Sequence, residues 1–375
     1  MSGLLQLATQ GRLSRREDSS LGKRREQKAS HRERLRRLAT PPTPFFSSLL
    51  DTLRLLAGAA AAILAACCAF KSKPLEEASE KHLLLRLRAP DLSAPLVEVL
   101  PPAGSRPDDP LKAVVFARIN SDRSAAGLLP VEWDGGAARV ADAFCVQQVR
   151  EATRGHFLMD GIPPYARTSF AGVFGAQSEN SVSWETNRPS FSESITRLAL
   201  IGHEDMMAEK PPGDGHRRTI LDPEVTHVGI GYAVARGRFQ MAQEFLTRTL
   251  ERLSILRRES PRPILRFDGK PLPNWRLEFV TIARENPPVP LTREEATART
   301  NYSYPRPGIA YTPEANRQIR VSGTDTQGKI RVVPSRDFTF DFAPDRPGLY
   351  TFVFYTAIRV SEPARPGASA TIWVE

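Results

Sequence analysis

The chain has 375 residues, enough for about two domains, and its 41% apolar and 25% charged fractions are those of globular protein. The formal charge of +10 is uneven: residues 1–54 hold 12 Lys/Arg against 5 Asp/Glu, leaving 40 against 37 in the rest. The basicity therefore belongs to the N-terminal arm, and the balance argues against a nucleic-acid partner for the folded body.

Residues 1–70 read as a basic leader and a signal or anchor segment. Leu55 to Cys68 is an alanine-rich apolar run, shorter than the roughly 20 residues of a spanning helix. Leu64-Ala65-Ala66-Cys67 resembles a bacterial lipobox, whose Cys is acylated after cleavage ahead of it. An acylated Cys67 would tether the mature protein to a membrane; an uncleaved N-terminal anchor is the alternative. On either reading the body is extracytoplasmic, membrane-anchored or secreted. The leader is long enough that a start downstream of Met1 stays open. Cys145 is then the remaining thiol, expected buried in a helix and outside any disulfide framework.

Residues 71–110 hold seven prolines from Pro74 to Pro110 and read as a linker with one short extended piece. From Leu111 the apolar spacing becomes helical and stops at Gly127. Asp134 is placed to cap a second helix that carries Ala138, Ala141, Cys145 and Val149 on one face. A proline- and glycine-containing loop leads to Glu179-Asn180. Residues 192–209 read as a third helix capped by Ser192 and stopped by Pro211-Pro212-Gly213. Val228 to Ala235 and Phe239 to Phe245 read as a hairpin turning at Arg236-Gly237-Arg238. The segment 246–258 reads as a basic helical connection to a boundary at Pro261 and Pro263. Beyond it, alternating runs at 276–282, 338–342, 349–355 and 370–374 predict strands, with a turn at Asp345-Arg346-Pro347-Gly348. Residues 111–258 and 259–375 are thus two domains. The fold class is α+β, a three-layer α-β-α sandwich followed by an all-β sandwich, for which an immunoglobulin-like topology is one option.

Several residues of the first domain fall into a known order. Asn120-Ser121-Asp122-Arg123 and Gly127 to Asp134 come first, then His156 past the second helix, then Glu179-Asn180. Glu209 ends the third helix; Gly215-His216-Arg217-Arg218-Thr219-Ile220-Leu221 and Gly229-Ile230-Gly231-Tyr232 follow. Jointly they resemble the CAP superfamily (cysteine-rich secretory, antigen 5 and pathogenesis-related) in its bacterial SCP-like form, over residues about 112–246. The resemblance departs from the pattern at Ser178, where a Gly is usual, and at Met206, where many members have Trp. It implies that His156, His216, Glu179 and Glu209 meet in one solvent-facing cleft.

Two neutral imidazoles would bind Zn²⁺, with open positions left for water. A carboxylate on each far ring nitrogen would fix the tautomer, and without metal would be expected to raise the His pKa values. The favoured reading is a non-catalytic binding protein, with His156 and His216 holding a divalent metal or the cleft holding a lipidic or cell-envelope ligand. The alternative is a metal-assisted hydrolase, peptidase or esterase, with Glu179 or Glu209 as general base. Other candidates carry less. His203-Glu204 opens a zincin-like pattern, but Met207 stands where the second ligand belongs, so an exposed polar helix face is expected. His82 and His227 are expected at the surface, as are Arg217 and Arg218. Ser181 and Ser183 lack a nucleophile-elbow context. Trp275, Tyr302, Tyr304 and Tyr311 are expected in the core or turns of the second domain rather than on a sugar platform.

Overall fold

A computed structural model describes residues 87–375, apart from 91, 93, 95, 189, 259–262, 315–320, 322–323, 334–335 and 360–361. The leader, the apolar run, Cys67 and His82 lie outside the described residues. Among those described, no helix is long and apolar enough to cross a membrane.

Two short strands open the described chain, β1 (Leu87–Ala89) and β2 (Leu96–Val99). Helix α1 (Pro110–Ala125) follows; Asp109 accepts the Lys112 N–H at 3.0 Å and Pro110 supplies the preset first turn. Strand β3 (Glu132–Trp133) leads into α2 (Gly135–Glu151), capped by Asp134, which accepts the Ala137 N–H at 2.7 Å. The loop expected before Glu179 contains a short helix, α3 (Pro164–Phe170). Strand β4 (Ala176–Glu185) precedes α4 (Ile195–Ala208), whose cap is Ser194 rather than Ser192: its hydroxyl accepts the Arg197 N–H. The short α5 (Gly215–Ile220) precedes β5 (His227–Ala235) and β6 (Arg238–Thr247). Arg236 and Gly237 both have positive φ, 52° and 70°, as a two-residue primed hairpin turn requires.

These strands form a four-stranded sheet in the order β3-β5-β6-β4. Alternation along β5 sorts its two faces. Val228 and Ile230 enter a core with Val115 and Ile119 of α1 and Leu198 and Met206 of α4. Gly229 and Gly231 face α2 on the other side; a Cβ on Gly229 would lie 2.1 Å from the Ala138 backbone nitrogen. The glycine-bracketed strand is thus what lets α2 lie directly on the sheet, completing three layers. Arg123, 1% exposed, donates to the carbonyls of Leu129, Ile220, Asp222 and Val225, tying the end of α1 to the loop after α5.

The remaining strands are β7 (Leu250–Arg258), β8 (Ile264–Pro271), β9 (Arg276–Glu285), β10 (Ile309–Pro313), β11 (Asp325–Val332), β12 (Phe338–Phe342), β13 (Gly348–Ala357) and β14 (Arg365–Val374). A short helix α6 (Arg293–Ala298) lies between β9 and β10. They form a ten-stranded sheet in the order β1-β14-β13-β9-β10-β11-β12-β8-β7-β2. Phe267 of β8 nevertheless packs against the tilted ring of Phe352 of β13, centroids 4.4 Å apart. Those strands are far apart in hydrogen-bonding order, so the sheet folds over on itself as a sandwich around phenylalanines.

The segment expected as a helical connection is the strand β7. It pairs with β8 and also with β2, so 87–99 and 250–258 both belong to the larger sheet. Leu253 and Ile255 point into its core, and strand pairing overrides the helical reading of the basic residues between them. Arg248, 5% exposed in its side chain, stands where β6 passes into β7 and pairs with both Asp134 and Glu98.

Candidate functional site

Each cleft residue is delivered by a local device. Helix α2 ends at Ala152 in the left-handed conformation, with Gln148 donating to the Gly155 carbonyl at 2.9 Å; the turn so formed carries His156. Glu179 lies on β4, an edge strand, and points to the α2 side. Glu209 is the residue that ends α4, and His216 is the second residue of α5.

The structure brings these residues together. The His156 and His216 ring centroids are 6.4 Å apart. His156 Nδ1 lies 2.8 Å from Glu179 Oε1, and His216 Nδ1 lies 2.5 Å from Glu209 Oε1. An ionised carboxylate can only accept, so each pair places a ring proton on Nδ1, and a neutral ring then keeps Nε2 as the open acceptor. Glu209 Oε2 also accepts the His216 N–H at 3.0 Å, so one carboxylate caps α5 and orients its histidine. All four residues line one cavity of about 550 Å³, with Asn180 and Arg218 also in its wall.

Behind Glu179 stands a residue that the sequence reading omitted. Arg167 of α3 donates to Glu179 Oε2 at 2.7 Å and to the His156 carbonyl at 2.9 Å, with its guanidinium 3.9 Å from the Phe144 ring centroid. Glu244 of β6 is the cross-strand partner of Glu179 and equally buried. Burial raises Glu179 from its ordinary value, opposed first by Arg167, and pushes Glu244 well above its own, helped by the charge of Glu179. Glu244 is therefore the acid of the pair that holds its proton to the higher pH, and its Oε2 accepts from Gln177 at 2.6 Å. His156 moves opposite to expectation: burial, then the Arg167 charge, lower it to about 4. It is a neutral ring hydrogen-bonded to a carboxylate, not half of an ion pair. No sequence periodicity could link residues 167 and 244 to Glu179; the packing of α3 brings in the first and the register of β4 on β6 the second.

The second omission concerns the aromatics. Tyr302 and Tyr304, expected as core or turn residues of the β region, sit over the edge of β4. The Tyr302 hydroxyl accepts the Glu179 N–H at 2.5 Å, and the Tyr304 hydroxyl accepts the Gln177 N–H at 2.7 Å. Residues 177 and 179 face the same way along an edge strand, so two phenols replace the missing neighbour. The Tyr302 ring meets His156 edge-on at 5.0 Å, and residues 300–304 wall the cavity.

The other candidates divide. His203 is fully buried rather than exposed, with Nε2 2.8 Å from Asp122 Oδ2. His227 is 6% exposed rather than at the surface, beside the Thr226 hydroxyl; burial lowers it to about 4. Arg217 and Arg218 are exposed, and Arg218 pairs with Asp214. Ser181 accepts from Gln240. Cys145 is a buried free thiol whose ionisation burial pushes well up.

The family model for the cysteine-rich secretory protein family, CAP, matches residues 116–247. This segment is a CAP domain. It holds all four cleft residues, while Tyr302 and Tyr304 come from beyond it. Among solved structures, the chain is similar to an outer surface protein of Borrelia burgdorferi at 16% identity, TM-score 0.29, covering 36% of this chain and 89% of that one. It is also similar to an extracellular SCP-domain protein of Bacillus anthracis at 20% identity and TM-score 0.29, covering 38% of this chain but only 45% of that one. A third similar structure, solved with Zn²⁺, has 12% identity and TM-score 0.29, covering 38% of this chain and 83% of that one. No curated protein matches the chain.

Proposed function

We propose that the protein is a non-catalytic, extracytoplasmic binding protein whose CAP cleft takes a weakly held divalent metal or a small polar ligand. The carrying observation is that both imidazoles have Nδ1 engaged by a carboxylate and line the same cavity, so both keep Nε2 as a free donor of electron pairs. His156 and His216 would hold Zn²⁺, which as a Lewis acid would polarise whatever ligand filled its open positions. Tetrahedral Zn²⁺ at ~2 Å from each nitrogen would set the ring centroids roughly 5 Å apart, so the observed 6.4 Å fits only after slight closure. His216, on a short helix and 34% exposed in its side chain, is the ring with room to move. Among the described residues no group of three or more His, Cys, Asp or Glu is disposed to hold a metal, so water would have to complete the coordination of an ion held by the two imidazoles. The polar wall favours a sugar or peptide group of the cell envelope over an acyl chain.

The hydrolase reading has less support. Glu179 is fully buried with both oxygens taken by His156 and Arg167, and Glu209 is taken by the His216 ring and backbone. Neither is free to deprotonate a water in the cavity. Tethering through acylated Cys67 or an uncleaved anchor stays part of the proposal; a full-length cytosolic product on cell fractionation would defeat it. The decisive test is calorimetric titration of the purified protein with Zn²⁺. Binding should occur in the wild type and vanish in the His156→Ala, His216→Ala double variant; equal binding in both would refute the metal site.

A further inference from the structure

His203 lies outside the cleft, yet a chain of polar contacts runs from it to the cleft. Its ring is fully buried between α4 and the sheet. Nε2 is 2.8 Å from Asp122 Oδ2 on α1, and Nδ1 is 3.2 Å from Gln243 Nε2 on β6. The Gln243 carbonyl oxygen is 3.5 Å from Asn180 Nδ2 on β4, and the same Asn180 nitrogen donates to the His216 carbonyl at 3.1 Å. Asn180 follows Glu179, so successive residues of β4 serve opposite faces: Glu179 orients His156, and Asn180 holds His216.

The chain has a direction that one residue sets. Burial lowers the proton affinity of His203 and keeps its ring neutral, with a single N–H. Asp122, paired with Arg118, can only accept, so that proton sits on Nε2. Nδ1 is then an acceptor and selects the NH₂ side of Gln243, which turns the Gln243 oxygen toward the Asn180 amide. With the opposite tautomer, Gln243 would present NH₂ to the NH₂ of Asn180, two donors facing each other, and the His216 carbonyl would lose its tie.

We propose that His203, oriented by Asp122, is a positioning residue that fixes His216 opposite His156. This rests on reading the cleft as the binding site, but its first measurement needs no ligand. Imidazole ¹H–¹⁵N spectra of the metal-free protein would be compared for the wild type, His203→Phe, Asp122→Leu and Asp122→Asn, each checked for cooperative unfolding. His203→Phe and Asp122→Leu should shift or broaden the His216 ring signals and leave those of His156 in place, since Glu179 holds that ring and Arg167 holds Glu179 and the His156 carbonyl. Asp122→Asn keeps an oxygen for the His203 N–H and should restore the wild-type spectrum. Zn²⁺ affinity should fall about tenfold in the first two variants and stay near wild type in the third. Wild-type failure to bind Zn²⁺ would overturn the metal reading and leave the spectra to decide this one. Unchanged His216 signals in folded His203→Phe and Asp122→Leu would overturn the positioning role.

Discussion

Replacing Arg167 with methionine removes the cation between two buried acids while keeping much of the side chain's contact with Phe144. Arg167 is 9% exposed in its side chain and Glu179 is 0% exposed, so solvent cannot take over the interaction. Removing one partner of a buried ion pair costs about 3–5 kcal/mol, a large share of a typical domain's stability. The loss should depend on pH with a definite sign. A carboxyl whose folded pKa is raised stabilises the fold below its unfolded pKa and loses that contribution as pH climbs through the folded value. At Glu179, Arg167 is the strongest influence opposing burial, so its removal pushes the folded value higher still. Between the two folded values the variant should lose up to about 1.4 kcal/mol more than wild type for each pH unit gained. Urea unfolding followed by circular dichroism at two pH values, one mildly acidic and one mildly alkaline, would measure how the deficit changes with pH. A deficit under about 1 kcal/mol, or one equal at the two pH values, would show that Arg167 does not neutralise Glu179.

Glu244→Gln keeps an oxygen for Gln177 and a donor for Glu179, so it should match wild-type stability in mild acid. It should then exceed it increasingly as pH rises, by up to about 1.4 kcal/mol per unit, because a glutamine cannot ionise; parallel unfolding curves across pH would contradict the proton assignment. Gly229→Ala would force a Cβ to within 2.1 Å of the α2 backbone, where no side chain can swing aside. A loss of about 3 kcal/mol is expected from the displaced helix, and a melting temperature within a degree or so of wild type would show that α2 is not in such close contact.

The sequence alone specified the ends and faces of most elements, because those depend on neighbours a few residues away. Asp134 as a cap, the glycine-broken hairpin turn and the Pro stop after α4 are short-range signals, and the order His156, Glu179, Glu209, His216 resembled a known cleft closely enough to name its walls. It misjudged whatever depended on partners distant in the chain. Residues 250–258 are a strand because β8 and β2 hydrogen-bond to them. His203 and His227 are buried because Asp122, Gln243 and Thr226 satisfy their rings in the interior. Arg167 joins the cleft through the packing of α3 against β4, Glu244 through the β4–β6 register, and Tyr302 and Tyr304 through an unpaired strand edge that needed acceptors for two N–H groups. Local sequence can encode a turn or a cap; burial and charge compensation are settled only when remote segments meet, and that meeting decided which groups of this cleft are neutral, which are paired and which remain free.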